Sequence, residues 1–528
     1  MALQDTRYCQ LDNLNSPEVP SEELTSEELN EMRLIRRDKL TWLRENGRDP
    51  FLVESFDVTF KSAEIVRDFE AREKEREAAG LAETPDDEPI QVKIAGRIMA
   101  NRHMGKASFI DVVDSEGKIQ VYVKKDLIPE GEYDVFLTYD IGDIVGITGT
   151  VFRTRHGEIS IKAADILLLS KSLQILPNKW QGLKDPELRY RQRYVDLVVN
   201  PDVREIFLKR AKIIREIRRY LEEDEGFLEV DTPTLTIIAG GANARPFETH
   251  HNTLDLDMKL RISNELFLKR LIVGGFDRVY EMGKMFRNEG MDRNHNPEYT
   301  AMELYQAYGK MEDVMHITEQ LISHAAMVCN GTTVIEYQGK SFDLKAPWPR
   351  LRMQDLVNEK LGVNFEEIET DEQAREIAKK FHIEDAEKLA RGKIIAELFE
   401  EYCEDDLDGP VFVTGHPVDI SPLSKRDPED PRITRRFEAY INCWEVANGF
   451  SELNDPIDQL ARFKDQQAEA KKGDDEAHPM DEDFVNALEV GMPPTGGLGI
   501  GIDRVIMLIT NAPSIRDVIL FPTMKPLG

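Results

Sequence analysis

The segment Gly496–Thr510, GGLGIGIDRVIMLIT, limits the fold more than any other stretch of this chain. Gly497, Gly499 and Gly501 alternate with large aliphatic residues, so a strand here has one apolar face and one face that lacks side chains. A bare face lets a flat ligand approach the backbone closely. A helix is predicted to begin at Asp503–Arg504, which puts a guanidinium at a helix N-terminus, where anionic phosphate binds well. The alternative is a Gly-rich strand packed on a neighbour, with the arginine in solvent.

A second candidate wall of a site is the segment Arg278–Tyr305, which has the alternation of a long antiparallel hairpin. Two alternating stretches flank a polar loop, Arg287 to Pro297. The returning strand places Glu303 on the same face as Tyr299 and Tyr305. Because loops are usually polar and exposed, a solvated charged loop is one interpretation. A carboxylate among aromatic side chains favours the other, a polar pocket beside the loop.

The segment Arg435–Asp455 is predicted to be extended and carries several acidic residues. Four of its residues share one face: Glu438, Asn448, Phe450 and Glu452. Glu445 has the opposite parity, so we expect a β-bulge near Asn448–Gly449 to bring it round. A charged surface strand and the wall of a cleft both remain open as interpretations.

A helix is predicted to begin after Asn264, which is a favourable N-cap residue. Glu265 then lies in the first turn of that helix. A carboxylate there either complements the helix dipole or meets a bound ammonium group.

The N-terminal third predicts helices followed by a small barrel. Residues 1 to about 26 form an acidic lead, and Ser26–Glu45 has the pattern of a basic amphipathic helix that either docks on the protein or lies on a phosphate backbone. Five short strands follow between residues 91 and 164, with a connector after the third, which is the pattern of an OB-type barrel. Such barrels stack single-stranded bases on aromatic side chains. Phe109 and Gln120 lie on the potential binding face, and Phe109 is alternatively a core residue.

The composition sets outer limits on the function. A chain of 528 residues with 41% hydrophobic and 32% charged residues predicts a globular protein of two to four domains. No apolar run approaches the length of a membrane span, the N-terminus lacks a signal-peptide pattern, and four cysteines without close pairing indicate reduced thiols. We therefore expect a cytoplasmic protein. A net charge of −31 argues against indiscriminate binding to nucleic acid but leaves room for a local RNA-binding patch.

Three stretches resemble, in order, the three motifs of the class II aminoacyl-tRNA synthetases. GFLEVDTPTL resembles motif 1, FRNEG with HNPEYTAMELY resembles motif 2, and GLGIGIDR resembles motif 3. This order behind an OB barrel is similar to the aspartate, asparagine and lysine enzymes. The segments GKASF, RYRQRY, LKRLIVGGF, GFSELNDP and PPTGGLGIGIDR resemble the bacterial-type lysyl-tRNA synthetases. The resemblance extends from about Leu29 to the C-terminus.

The resemblance implies an α+β protein: an N-terminal OB-type five-stranded β-barrel and a class II antiparallel sheet flanked by helices, with a helical insertion. It implies four parts: an acidic lead with N-terminal helices (1–89), an OB-fold anticodon-binding domain (90–172), a linker (173–195) and a catalytic domain (196–528) with its insertion at about 345–406. It further implies a homodimer with Pro233 near the interface. The implied reaction joins L-lysine to ATP as lysyl-adenylate and then transfers lysine to the 3′-terminal ribose of tRNA(Lys).

The resemblance also implies site residues, position by position. Catalytic roles fall to Arg287, Glu289 and Arg504. The implied ATP-binding residues are Arg287, His295, Asn296, Tyr299, Glu438 and Arg504. The implied lysine-binding residues are Gly241, Glu265, Glu303, Tyr305, Asn448, Phe450 and Glu452. Glu438 and Glu445 are implied ligands of Mg²⁺, which prefers oxygen ligands, and Arg97, Phe109, Gln120 and Glu158 are implied anticodon-binding residues.

The charge at Glu452 bears on the choice of amino acid, because the aspartate and asparagine relatives carry Arg at roughly that place. A glutamate there repels aspartate and attracts lysine. Departures from the commoner family wording are Trp444, Ala239, Asn243 and the segment SNELF, all expected at the pocket rim. Three other functions remain as alternatives: a ligase that joins lysine to a protein, an aspartate or asparagine enzyme, and a regulatory protein that has lost catalysis.

Overall fold

A computed structural model describes residues 26–80, 89–177, 183–242, 244–470 and 480–527. Residues 1–25 of the acidic lead and Asn243 lie outside these ranges. The chain divides between residues 181 and 182 into two compact units. The finer domain boundaries given above remain predictions. Within the described residues, every helix is too short or too polar to cross a membrane.

The first unit is a barrel with helices before it and between two of its strands. Its helices are α1 (Ser26–Glu45), α2 (Ser62–Ala78) and α3 (Glu132–Phe136). Its strands are β1 (Gln91–Met104), β2 (Ala107–Val113), β3 (Lys118–Lys124), β4 (Ile144–Arg153) and β5 (Ile159–Ser170). They close in the order β1-β2-β3-β5-β4, with α3 as the connector after the third strand. Alternate apolar side chains fill the interior, and the predicted OB-type barrel is confirmed.

Helix α1 docks on its own unit through one face. Leu40 and Leu43 are buried, and Leu43 belongs to the barrel core. The guanidinium of Arg36 donates hydrogen bonds to the backbone carbonyls of Ile141 at 3.0 Å and Gln174 at 2.7 Å. These contacts support the docking interpretation of the amphipathic helix.

The second unit is built on one large sheet. Its helices are α4 (Pro186–Arg191), α5 (Arg193–Val199), α6 (Pro201–Arg219), α7 (Glu265–Val273), α8 (Met311–Asn330), α9 (Met353–Leu361), α10 (Asp371–Lys380), α11 (Arg391–Tyr402), α12 (Pro456–Ala470), α13 (Glu482–Gly491), α14 (Ile502–Thr510) and α15 (Ile515–Val518). Its strands are β6 (Leu228–Glu229), β7 (Leu235–Thr236), β8 (Glu248–His251), β9 (Leu256–Leu260), β10 (Arg278–Phe286), β11 (Glu298–Ala307), β12 (Val334–Tyr337), β13 (Lys340–Asp343), β14 (Arg350–Arg352), β15 (Val411–Thr414), β16 (Arg436–Ile441), β17 (Trp444–Ser451) and β18 (Thr495–Gly501).

The large sheet has the strand order β14-β15-β16-β17-β18-β11-β10-β6. Its pairs are antiparallel except at the two edges, where β14 pairs with β15 and β6 with β10 in parallel. Leu498 and Ile500 of β18 point into the main core with side chains of α8 and α14, as the alternation predicts. The glycines between them face the opposite side of the sheet, which carries the site described below.

One segment differs from the sequence-based expectations in two respects. Arg435–Asp455 is not one extended stretch but a hairpin, because Asn442 and Cys443 take left-handed backbone angles (φ 55° and 60°) that reverse the chain. The irregularity in its pairing falls where Glu445 and Ala447 lie opposite consecutive residues of β16, and not at Asn448–Gly449. A bulge of the expected kind is therefore present about two residues earlier.

Candidate active site

The register of four neighbouring strands brings distant parts of the chain into two rows. The first row contains Glu303, Gly499, Asn448 and Glu438, and the second contains Tyr305, Gly497, Phe450 and Arg436. Residues directly opposite each other across a strand pair point to the same face of the sheet. The glycines of β18 therefore form a bare strip between acidic and aromatic side chains of β11 and β17.

One cavity of about 490 Å³ lies over these rows. This volume is in the range of small-ligand sites. All the residues that were predicted to bind ATP, lysine or metal line it: Gly241, Glu265, Arg287, Glu289, His295, Asn296, Tyr299, Glu303, Tyr305, Glu438, Glu445, Asn448, Phe450, Glu452 and Arg504. The hairpin, the acidic segment and the Gly-rich strand are thus walls of a single site.

Three carboxylates meet at one end of the cavity: Glu265, Glu303 and Glu452. Oε1 of Glu303 accepts a hydrogen bond from Oγ of Ser263 at 2.9 Å, and Oε2 accepts one from Oη of Tyr305 at 3.2 Å. Burial, and then the charge of Glu265, raise the pKa of Glu303 to about 7. Burial raises the pKa of Glu452 well above its ordinary value. Its Oε2 forms an ion pair with the ammonium of Lys269, and its Oε1 accepts no hydrogen bond from the described residues. This end of the cavity is short of positive charge.

The start of α7 is capped differently from the prediction. Asn264 is at the N-cap position, but its side chain makes no capping hydrogen bond, and its buried amide has no partner among the described residues. Oγ of Ser263 instead accepts the backbone N–H of Glu265 at 3.1 Å. Gly241 packs against this turn with φ +91°, and a Cβ atom there would come within 2.8 Å of Oγ of Ser263. Only glycine suits that position.

The opposite end of the cavity carries arginines. The guanidinium carbon of Arg287 lies 5.5 Å from the centroid of the Tyr299 ring, and its Nε is buried without a hydrogen-bond partner in the described parts of the chain. Arg504, near the start of α14, donates to the carbonyl of Glu445 at 2.6 Å and to Nε2 of His295 at 2.8 Å. Both guanidinium groups are placed to bind anions.

The helix that carries Arg504 is tied to the hairpin through Asp503. Oδ2 of Asp503 accepts the backbone N–H of Thr300 at 2.7 Å. Glu289 lies at the exposed rim of the cavity, whereas Asn296 is buried and donates from Nδ2 to the carbonyl of Glu298 at 2.7 Å. Asp503 therefore links α14 to the returning strand β11, and Asn296 stabilises the end of the hairpin loop from within.

Glu438 and Glu445 form the acidic pair that was predicted to bind metal. Burial alone would raise the pKa of Glu438, but the neighbouring His416 and Arg436 outweigh burial, and the pKa lies below the ordinary value. Arg436 donates to the carboxylate at 2.6 Å and Tyr440 at 2.7 Å. Burial and the charge of Glu438 raise the pKa of Glu445. Two neighbouring half-buried carboxylates of this kind fit a divalent cation. Among the described residues, no group of three or more His, Cys, Asp or Glu side chains could hold a metal ion alone.

Sequence reasoning missed three residues that organise the site. Arg436 donates to Glu438, to Oδ1 of Asn448 at 3.2 Å and to the carbonyl of Ile420 at 2.9 Å. Ser263 links Glu303 to the start of α7. The third, Lys269, is buried and forms ion pairs with Glu265 and Glu452. The roles of Arg436, Ser263 and Lys269 depend on strand register and burial, which the sequence does not show. The i, i+4 spacing of Glu265 and Lys269 nevertheless indicates their ion pair.

The residues that differ from the common family motifs do not all lie at the rim of the cavity. The ring of Trp444 packs edge-on against Tyr337 at a centroid distance of 5.3 Å, and this residue does not line the cavity. Ala239 is buried in a small apolar cluster beside Ile262. The SNELF segment, by contrast, supplies Ser263 to the carboxylate end of the site.

The barrel has a separate candidate surface. Phe109 is half-buried outside the barrel core, and its ring lies 4.8 Å from that of Tyr122 on the next strand. Gln120 accepts from Oγ of Ser160 at 3.0 Å and donates to Glu158 at 3.5 Å, while Arg97 donates to the carbonyl of Gly142 at 2.6 Å. The outward position of Phe109 is compatible with base stacking.

The barrel and the sheet with its cavity define an aminoacyl-tRNA synthetase of class II. Residues 185–525 match the family model of class II tRNA synthetases (D, K and N), and residues 92–169 match that of the OB-fold nucleic acid binding domain. The chain belongs to the class II D, K and N family of tRNA synthetases.

Several relatives of known name are lysine–tRNA ligases. The protein of that name from Thermoanaerobacter pseudethanolicus is 56% identical over 501 residues, which cover 95% of this chain and 97% of the relative. The one from Bacillus subtilis is 53% identical over 507 residues, 96% of this chain and 100% of the relative. The one from Bacillus cereus is 51% identical over 502 residues, 95% of this chain and 99% of the relative.

Proposed function

We propose that this protein is a lysine–tRNA ligase that activates L-lysine with ATP and charges tRNA(Lys). One observation carries the proposal: three carboxylates, Glu265, Glu303 and Glu452, converge at one end of a cavity that has Arg287 and Arg504 at the other. Lysine brings two ammonium groups and one carboxylate, and ATP brings phosphates. The charges of the cavity complement both substrates.

The lysine end would divide its carboxylates between the two ammonium groups. Glu265 lies at the turn of Gly241 and Ser263 and would bind the α-ammonium. Glu452 and Glu303, beside Tyr305, would bind the side-chain ammonium. A positive charge brought by the substrate would restore the ionised form of Glu303, whose pKa is raised to about 7 in its absence.

The nucleotide end would hold ATP against the bare strip of β18. Tyr299 would stack on the adenine, and Arg504 would lie across its other face. Arg287 would grip the α-phosphate and the lysine carboxylate, since a planar guanidinium binds paired oxygens. His295, Asn296 and Glu289 would complete the rim around the phosphates and the incoming tRNA end.

Two displacements follow from this placement. A carboxylate oxygen of lysine attacks the α-phosphorus, the bond to the β-phosphate oxygen breaks, and pyrophosphate leaves. A ribose hydroxyl of the tRNA terminus then attacks the carbonyl carbon of lysyl-adenylate, and AMP leaves. Positioning and charge stabilisation by Arg287 and Arg504 would supply the catalysis, without a covalent enzyme intermediate.

Glu438 and Glu445 would hold Mg²⁺ together with phosphate oxygens of ATP and water. Mg²⁺ commonly binds through one or two protein carboxylates plus substrate phosphates. When bound, it would neutralise charge on the phosphates. The raised pKa of Glu445 beside Glu438 supports this assignment, because a cation there would relieve the repulsion.

The barrel would read the anticodon through Arg97, Phe109, Gln120 and Glu158. The exposed apolar side chains Leu228, Leu235 and Ile237 flank Pro233 and support a homodimer through this region. We further propose a cytoplasmic location, because tRNA charging supplies cytoplasmic translation.

ATP–pyrophosphate exchange with each of the twenty amino acids, followed by charging of tRNA(Lys), tests the proposal. We expect exchange with lysine and transfer to tRNA. Exchange without transfer would favour a ligase that joins lysine to another acceptor, and the barrel argues against that. Exchange with aspartate or asparagine would overturn the assignment, as would a complete lack of exchange.

A further inference from the structure

Lys269 is an unusual charged residue, because it is fully buried yet lies outside the cavity wall. Its ammonium pairs with Glu265 one turn earlier on α7 and with Glu452, which follows β17. The rings of Phe450, Phe484 and Tyr305 surround the nitrogen at centroid distances of 5.4, 5.8 and 5.9 Å. Burial of an ammonium group is costly, and here the carboxylates of Glu265 and Glu452 offset that cost.

The ion pair with Lys269 occupies only one of the two carboxylate oxygens of Glu452. Oε2 faces the ammonium of Lys269, whereas Oε1 lies over the bare backbone of Gly497 at the floor of the cavity. Among the described residues, Oε1 has no hydrogen-bond donor. Lys269 thus holds Oε2 of Glu452 on the side away from the cavity, and Oε1 remains accessible from the cavity.

The number of charges at this end of the cavity also favours a link between Lys269 and substrate binding. Glu265, Glu303 and Glu452 would place three negative charges in a buried site, and such a cluster repels itself. Lys269 supplies one fixed positive charge. Two negative charges then remain, which equals the number of ammonium groups on a lysine substrate.

We propose that Lys269 is a positioning residue for side-chain recognition: from behind the cavity wall it fixes Glu452, so that Oε1 receives the side-chain ammonium of the substrate. This inference rests on the proposed function. Lys269 would act through Glu452 and would not itself contact the lysine substrate. The Lys269–Glu452 pair would then determine the specificity for a cationic side chain.

A double-mutant cycle tests the proposal by lysine-dependent ATP–pyrophosphate exchange. The proteins are the full chain, Lys269→Met, Glu452→Gln and the double variant. We expect Lys269→Met to raise the KM for lysine about tenfold or more and to change the KM for ATP less than about twofold. In the Glu452→Gln background, Lys269→Met should raise the KM for lysine by less than about threefold more, because the Glu452 carboxylate that Lys269 positions is already absent. Equal effects in both backgrounds would overturn the proposal.

The double variant replaces both members of the Lys269–Glu452 pair by neutral side chains, so the net buried charge is unchanged and only Glu265 loses an ion-pair partner. If Lys269→Met alone does not fold, the double variant compared with Glu452→Gln remains decisive, since a further tenfold loss of lysine affinity would contradict the proposal. Norleucine, which lacks the side-chain ammonium, gives a second readout. Its inhibition constant should not change in Lys269→Met, and a parallel loss would indicate general damage to the pocket.

Lys209→Met is the matched control, because Lys209 forms an i, i+4 pair with Glu205 at 3.1 Å on a solvent-accessible face of α6. We expect the kinetics of this variant to equal those of the full chain. If the full chain shows no lysine-dependent exchange, the proposed function fails. If it exchanges with lysine and Lys269→Met keeps the original KM, only the present inference fails.

Discussion

The guanidinium of Arg504 donates a hydrogen bond to Nε2 of His295 at 2.8 Å. A guanidinium has only donors, so Nε2 must be the unprotonated ring nitrogen. The proton of the neutral ring is then on Nδ1, which donates to Oδ2 of Asp292 at 2.8 Å. This chain of contacts joins the hairpin loop to α14 at the arginine end of the cavity.

His295→Ala should therefore raise the KM for ATP about tenfold, because Arg504 loses one of its two anchors and a charged hydrogen bond contributes about 1.5–3 kcal/mol. The KM for lysine should change little. Exchange kinetics at varied ATP concentration measure this effect. An unchanged KM for ATP would show that the contact does not position Arg504.

The lysine end should respond to pH through Glu303. Its pKa is raised to about 7 by burial and by Glu265, so the carboxyl is increasingly protonated below that pH. A neutral carboxyl attracts an ammonium less than a carboxylate does. The KM for lysine should therefore rise as the pH falls from 8 to 6, and Glu303→Gln should have a high KM that depends less on pH. The same slope in both proteins would rule out Glu303 as its source.

Gly497 and Gly499 should differ sharply when replaced by alanine. A Cβ atom at Gly497 would overlap Oε1 of Glu452 and lie 2.6 Å from Cε1 of Tyr305, whereas at Gly499 the nearest atoms are 3.8 Å away. Gly497→Ala should thus raise the KM for lysine at least tenfold. Gly499→Ala should fold normally and affect ATP more than lysine, because its methyl group enters the bare strip. Equal effects of both variants on both substrates would contradict this division of the cavity.

Glu445→Gln should raise the Mg²⁺ concentration needed for half-maximal exchange, because one of the two carboxylate ligands loses its charge. Titration of exchange activity with MgCl₂ measures the shift. Glu359→Gln, at an exposed position on α9, provides the control. An identical Mg²⁺ requirement in Glu445→Gln would remove that residue from the proposed metal site.

Phe109→Ala should separate the two halves of the reaction. Loss of one base-stacking contact costs about 1–3 kcal/mol, so the KM for tRNA(Lys) should rise about tenfold or more while ATP–pyrophosphate exchange stays constant. Phe51→Ala is a suitable control, because Phe51 is also partly exposed in the first unit. A normal KM for tRNA in Phe109→Ala would disprove the stacking role.

Much of this architecture could be predicted from local patterns. Strict alternation in β18 predicted which of its faces is apolar, and the OB-type barrel predicted from the strand pattern is confirmed. The large sheet with flanking helices, which the family resemblance implied, is also confirmed. The residues selected by motif resemblance converge on one cavity, although their individual roles remain predictions.

The remaining features depend on long-range geometry. Strand register decides that Glu438 lies opposite Asn448, and a left-handed turn at Asn442 and Cys443 makes the hairpin that creates this register. Lys269 escaped prediction because a lysine four residues after a glutamate is usually a solvated helix pair. Its burial between α7 and the aromatic rings becomes visible only in the assembled fold.

Lysine-dependent ATP–pyrophosphate exchange in the full chain and in Glu452→Gln tests most directly whether the carboxylate end of the cavity binds lysine. Removal of one charge from a buried pair costs about 3–5 kcal/mol. We expect exchange with lysine in the full chain, and a KM for lysine raised a hundredfold or more in the variant with the KM for ATP nearly unchanged. An unaltered KM for lysine in Glu452→Gln would show that Glu452 does not bind the substrate.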